Sequence, residues 1–129
     1  MKNLQLPLTR NWFELTKKEI KKEDYREITP YWCNRLLLFN SKVKSKEWWQ
    51  YEFFRFGCVP EIIENIQLFC IFKQYNFNIM TLGYPKSTDK DRILKLEHKG
   101  IEIRTGSKEW GGEHGKKYFV IKHGLKIKN

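Results

Sequence analysis

Apolar and polar positions alternate from the start of the chain. Leu4, Leu6 and Leu8 are separated by Gln5 and Pro7, which predicts a short strand. Pro7 has no amide to donate, so the strand belongs at a sheet edge. Thr9 suits a helix N-cap. Trp12, Phe13, Leu15 and Ile20 then recur at helical spacing, predicting an amphipathic helix over 10–19 with Lys17 and Lys18 in its last turn. Residues 23–28 alternate again. As a strand they place Asp24, Arg26 and Ile28 on one face and Glu23, Tyr25 and Glu27 on the other. Thr29-Pro30 opens a second helix, expected to run from Tyr31 to near Asn40.

After a polar loop at 41–46, Trp48, Trp49, Tyr51, Phe53, Phe54 and Phe56 form the most aromatic stretch, and its period fits helix or strand equally. Gly57 and Pro60 break it. Residues 61–69 suit a helix and 70–72 a strand. The C-terminal half reads as strands at 77–82, 92–98, 101–104, 118–122 and 125–127. Gly83, Gly100 and Gly124 are read as the breaks, and 84–89 and 106–115 as loops. Helices early and short strands late predict an α+β chain, a mainly antiparallel β-barrel flanked by two or three short helices.

A chain of 129 residues is expected to be one domain over 1–129, with 41–75 as a possible variable insertion. At 40% hydrophobic and 16% aromatic it can fill a core, which excludes a disordered tail. Twenty-five Lys and Arg against 15 Asp and Glu give a net charge of +10, which attracts polyanions such as nucleic acid. Lys-rich composition alone accounts for the same number. Cys33, Cys58 and Cys70 are widely spaced and form no C-x-x-C pair, and His98, His114 and His123 do not cluster with them. Three reduced cysteines, two of them buried among aromatics, no metal and no cofactor are expected. Residues 1–10 carry no leader-like apolar run, and no stretch approaches a membrane span, so the expected setting is cytoplasmic with no membrane partner.

Residues 19–26 resemble the G-x-K-x-x-E-x-R element of ASCH domains. Lys21 and Arg26 match in spacing, Asp24 stands at the acidic position with Glu23 beside it, and Glu19 replaces the glycine. Five further segments follow in the order of a small phage and bacterial ASCH-like branch: Trp12-Phe13, Glu23 to Trp32, Gly83-Tyr84, Lys108 to Gly111 and Tyr118 to Gly124. The resemblance implies a PUA-like β-barrel and an association with RNA. It also implies possible enzymes, since one branch resembles amidohydrolases that release the acyl group of N4-acetylcytidine and another is linked to ribonuclease activity. The amidohydrolase branch has Lys at the position of Lys21 and Thr at that of Asp24, together with a distant Glu.

Lys21, Asp24 and Arg26 are the candidate catalytic set. Lys is a phosphate contact, or a base when desolvated; Asp24 accepts from a base amino group or activates water; Arg26 offers a planar fork. The same three residues also suit a salt-bridge cluster on a barrel rim. Tyr25, Trp32, Tyr84 and Trp110 are candidate stacking surfaces for a base, or core. Arg35, one turn beyond Trp32, and Lys86 are candidate phosphate contacts. Gly111 and Gly112 allow a ligand close to the backbone, or simply a tight turn. Lys42, Lys44, Lys46 and the tail lysines add unspecific attraction. Cys33 is expected to pack. Three functions stay open: a module binding RNA, a nucleoside or a nucleotide through a basic cleft; a hydrolase of a modified nucleoside or RNA built on Lys21 and Asp24; and an interaction protein using the aromatics around Trp48 and Trp49.

Overall fold

The computed structural model describes residues 2–128. The chain divides into two compact units: residues up to Tyr25 with those from Gln74 onward, and Arg26–Lys73.

The first unit is built on a curled five-stranded sheet, a half-barrel. Its strands are β1 (Lys2–Leu8), β2 (Glu23–Arg26, whose last residue begins the second unit), β5 (Tyr75–Leu82), β6 (Ile93–Thr105) and β7 (Lys117–Ile127). The order is β1-β5-β6-β7-β2. Strand β1 lies at the edge, where Pro7 is tolerated. It runs parallel to β5, with Leu4 opposite Asn78 and Leu8 opposite Leu82. Strands β5 and β6, and β6 and β7, pair antiparallel. Leu4, Leu6, Met80, Phe119, Val120 and Ile121 are buried almost completely, and Phe13 of helix α1 (Arg10–Lys17) joins that core. Thr9 sits at the α1 N-cap, but its side chain makes no capping bond.

Two expected breaks are not breaks. Strand β6 continues through Gly100 and β7 through Gly124; the pairing slips instead, between Leu96 and His98 and between His98 and Ile101. An extra residue bulges out without ending a strand, which a glycine in a strand also permits.

The second unit holds α2 (Pro30–Leu36), β3 (Leu37–Phe39), α3 (Lys46–Phe56), α4 (Val59–Phe69) and β4 (Cys70–Phe72). Thr29 Oγ1 accepts from the Trp32 amide and starts α2 beside Pro30. That helix ends at Leu36, earlier than the pattern suggests, because residues 37–39 pair antiparallel with Cys70–Phe72. The aromatic stretch is helical. Ser45 Oγ accepts from the Trp48 amide at its start, and Gly57 closes it in the left-handed conformation at φ 77°. Pro60 lies beyond the end of that helix, in the first turn of α4. Cys33, Leu36, Leu37, Trp49, Ile62 and Ile66 form this unit's core. The cysteines are free, and only Cys33 is buried: Cys58 is exposed and Cys70 half-buried, against the two expected. Among the described residues, no helix is long and apolar enough to cross a membrane.

In the first unit, the loop after β6 folds on itself. A Cβ on Gly112 would meet backbone atoms of Gly106 at 2.6–2.9 Å. Gly112→Ala is therefore expected to destabilise the protein by about 1–3 kcal/mol, since backbone cannot rotate aside as a side chain can. Urea unfolding checks this, an unchanged midpoint being the contrary result.

Candidate functional site

The turn between α1 and β2 delivers Lys21 into the first unit. After Lys17 the chain passes through Glu19 at φ 61°, and the amides of both Ile20 and Lys21 bond back to the Leu15 carbonyl. This folds the Lys21 side chain inward, where only 3% of the residue is exposed. Asp24, on β2, is 2% exposed. Its carboxylate stands 3.5 Å from Lys21 Nζ. The ammonium also donates to the Glu23 carbonyl at 2.7 Å and lies 5.5 Å from the centre of the Trp12 ring and 5.7 Å from that of Tyr25. Withdrawing such an ion from water costs several kcal/mol, and these neighbours offset it.

Three residues that spacing did not single out complete the cluster. His98 and His123 lie opposite each other where the β6–β7 register slips, and the fully buried Asn78 of β5 reaches both. Asn78 Nδ2 lies 3.3 Å from the Lys122 carbonyl and 2.7 Å from His123 Nδ1, while Asn78 Oδ1 lies 2.7 Å from His98 Nδ1. A carbonyl only accepts, so the amide nitrogen must face Lys122. Asn78 then donates to His123 Nδ1 and accepts from His98 Nδ1–H. His123 is therefore the neutral tautomer with its proton on Nε2, and that buried Nε2 has no hydrogen-bond partner among the described residues. Burial first of all holds His123 down to about 4, with Asp24 and Glu23 pulling upward and Lys21 and His98 downward. Burial also lowers His98. A sequence signal existed: each histidine lies within two residues of a strand glycine, Gly100 or Gly124, where pairing slips.

A groove of about 750 Å³ opens over this cluster, lined by Thr16, Glu19, Lys21, Lys22, Leu96, Glu97, Lys99, His123, Gly124 and Leu125. Glu97 accepts from the Leu125 amide, which is the main reason its carboxyl is held below the ordinary value. A second groove of about 370 Å³ in the same unit is lined by Lys17, Lys90, Lys95, Lys126 and Lys128, with Asp91 as its one acid.

The remaining candidates separate into groups. Tyr25 is spent on packing: its ring stacks on Tyr118 at 5.6 Å, and its hydroxyl donates to Glu23 and accepts from the Ser107 amide. Burial raises that phenol. Glu23 is in turn paired with Arg104. Trp110 is half-buried on a 3-10 turn (Lys108–Trp110), and the space beside Gly111 and Gly112 is taken by Trp12 and Gly106. Tyr84, 93% exposed, and Lys86 lie on the open loop after β5. In the second unit, the Arg26 and Arg35 guanidiniums each stand 5.0 Å from the Trp32 ring centre. Arg35 also donates to the Tyr31 hydroxyl. Cys33 packs, and burial raises its thiol far above the reactive range. Among the described residues no three His, Cys, Asp or Glu groups are placed to hold a metal ion.

Comparison with protein-family models, with curated proteins and with solved structures gives no match.

The histidines set a pH dependence. An unfolded chain protonates His123 near 6.5, the folded one near 4. Between those values the unfolded state binds more protons, so stability falls as pH drops from 6.5 to 4, by about 3 kcal/mol for His123. His98 acts with the same sign. Urea unfolding at pH 7.5 and pH 4.5 is expected to show this loss, and His123→Phe to remove most of it; an equal slope in the variant would contradict the assignment.

Proposed function

We propose that this protein binds RNA or a nucleotide through the groove over Lys21. The observation that carries the proposal is a cation, Lys21, held out of water by Asp24 and the Glu23 carbonyl on the floor of an open groove. A buried charge stabilises a fold poorly compared with apolar packing, so its presence in a cleft points to use. The lysine-lined groove of the same unit supports the polyanion class of ligand, with five cations against one acid. Lys21 is also one of the two residues, with Arg26, that match the ASCH element in spacing, and Asp24 stands at its acidic position. A phosphate chain suits the exposed lysines, whereas the Lys21–Asp24 floor, close to neutral overall, suits a polar base or sugar.

A hydrolase is the second reading, favoured by the placement of Asp24 beside Lys21 and a neutral imidazole. In it Asp24 removes a proton from water as the oxygen adds to an acyl carbon, Lys21 faces the resulting oxyanion, and the proton passes to the departing amine.

Fluorescence anisotropy of a labelled single-stranded RNA tests the proposal. Affinity is expected to fall steeply with salt, the logarithmic slope being about −0.7 per phosphate neutralised. Lys95→Gln with Lys126→Gln is expected to weaken binding and reduce the magnitude of the slope by about 1.4. No binding at low salt would refute the proposal. Mass spectrometry of acylated cytidines and RNA after incubation separates the two readings: turnover lost in Asp24→Asn selects the hydrolase.

A further inference from the structure

Eight of the eleven large apolar side chains exposed among the described residues belong to Arg26–Lys73, the smaller unit. Two of them, Tyr51 at 62% and Phe54 at 84% exposure, stand on α3. A helix turns by about 100° per residue, so Glu47, Trp48, Tyr51, Phe54 and Arg55 fall within about 120° of its surface. The buried residues of α3, Trp49 and Glu52, lie outside that arc. Glu47 and Arg55 are exposed and Trp48 is half-buried. The face is therefore aromatic through its middle, with an acid at one end and a base at the other. The Phe39 ring, 4.8 Å from Trp48 and 5.5 Å from Phe69, continues the apolar surface to Phe69, which is 46% exposed. The solvent side of a helix is normally polar, and a contiguous aromatic face marks an interaction surface.

The order of residues along this face selects its occupant, because it is complementary to its own reverse about Tyr51. In two antiparallel copies of α3 related by a two-fold axis, Tyr51 meets Tyr51, Trp48 meets Phe54 and Glu47 meets Arg55. Aromatics then pack on aromatics at the centre, and opposite charges face each other at both rims. A parallel pairing would set Glu47 on Glu47 and Arg55 on Arg55. Arg55 is held in place by Glu52 of its own helix at 2.8 Å, and a guanidinium has N–H donors to spare for a second carboxylate. Fully buried aromatics remove about 150–250 Å² each, so Tyr51, Phe54, Phe69 and part of Trp48 supply about 400–500 Å² per copy, about 800–1,000 Å² in the pair. Stable dimers bury more, so the association is reversible and concentration-dependent.

We infer that the outer face of α3 is the contact surface of a two-fold dimer of this chain, in which α3 packs antiparallel on its own copy about Tyr51. The contact lies in the second unit and needs no nucleotide.

Sedimentation equilibrium of the full chain from about 10 µM to about 1 mM tests this. The average mass is expected to rise from 15.7 kDa toward twice that value. Each copy carries +10, and salt screens that repulsion, so the rise is expected to be larger at about 0.5 M salt than at about 0.05 M, opposite to RNA binding. Phe54→Glu sets a carboxylate against the copy's Trp48 and is expected to weaken association roughly tenfold; Glu47→Arg, which opposes Arg55 with a like charge, weakens it less. In a Cys58→Ser background, which removes the exposed native thiol, Tyr51→Cys is expected to give a disulfide-linked dimer with added oxidant, and Glu64→Cys, exposed on α4, is not. A mass that stays at 15.7 kDa up to the highest concentration overturns the dimer. Association unchanged by Phe54→Glu, or cross-linking equal at both cysteine positions, puts the contact elsewhere and overturns the α3 face. The wild-type mass series decides for or against a dimer even should a variant fail to fold.

Discussion

The ammonium of Lys21 has to be compensated without water, and the site in the first unit is organised around that requirement. A carboxylate at 3.5 Å, a carbonyl at 2.7 Å and two aromatic rings surround it. Each of these partners is itself fixed. Tyr25 is held between Tyr118, Glu23 and the Ser107 amide, and Glu23 is paired with Arg104 across the sheet. The Lys22 carbonyl accepts from the His123 amide, which ties the Lys21 turn to the closing strand. The turn, three strands and a loop therefore share one electrostatic problem. Its solution leaves a groove floor with positive and negative charge already matched, beside a neutral histidine.

On the proposed reading, that arrangement would divide the recognition of a nucleotide by charge. Fixed polar donors at the floor act over hydrogen-bond distances and select chemistry, while exposed lysines act over about 8–10 Å and select only sign. The slipped register of β6 and β7 makes the first part possible. A regular ladder would alternate its side chains evenly; the slips set His98 opposite His123, with Asn78 bonded to both. In the second unit Trp32 carries a guanidinium at 5.0 Å on two counts, from Arg26 and Arg35, and Phe54 is 84% exposed on α3.

Local patterning made much of this legible. Period-2 alternation located β1, the strand at Glu23 and the strand ending at Leu82, and the Thr29-Pro30 pair marked the start of α2. Lys21 and Asp24 were identified by spacing and by resemblance, and they do meet. What escaped the sequence was non-local. Residues 37–39 look helical alone and become strand because Cys70–Phe72 pairs with them. Gly100 and Gly124 look like stops and are sites of slippage, because an adjacent strand carries the ladder past them. His123 and Asn78, 45 residues apart, become partners only once the sheet order is known. Tyr25 and Gly112, attractive as ligand contacts, are used up by neighbours that no local pattern reveals.

Replacing the Lys21–Asp24 pair with the apolar pair Lys21→Met and Asp24→Leu is the decisive measurement, read by urea unfolding and RNA anisotropy on the same samples. Either single change strands a buried group, and removing one partner of such a pair costs about 3–5 kcal/mol; the double change restores apolar packing and brings stability back to within about 1–2 kcal/mol of the parent. With the fold recovered, RNA affinity is expected to fall at least tenfold. A stable double variant that binds RNA as tightly as the parent would show that the pair only fills space, and would contradict its assignment as the floor of a binding site.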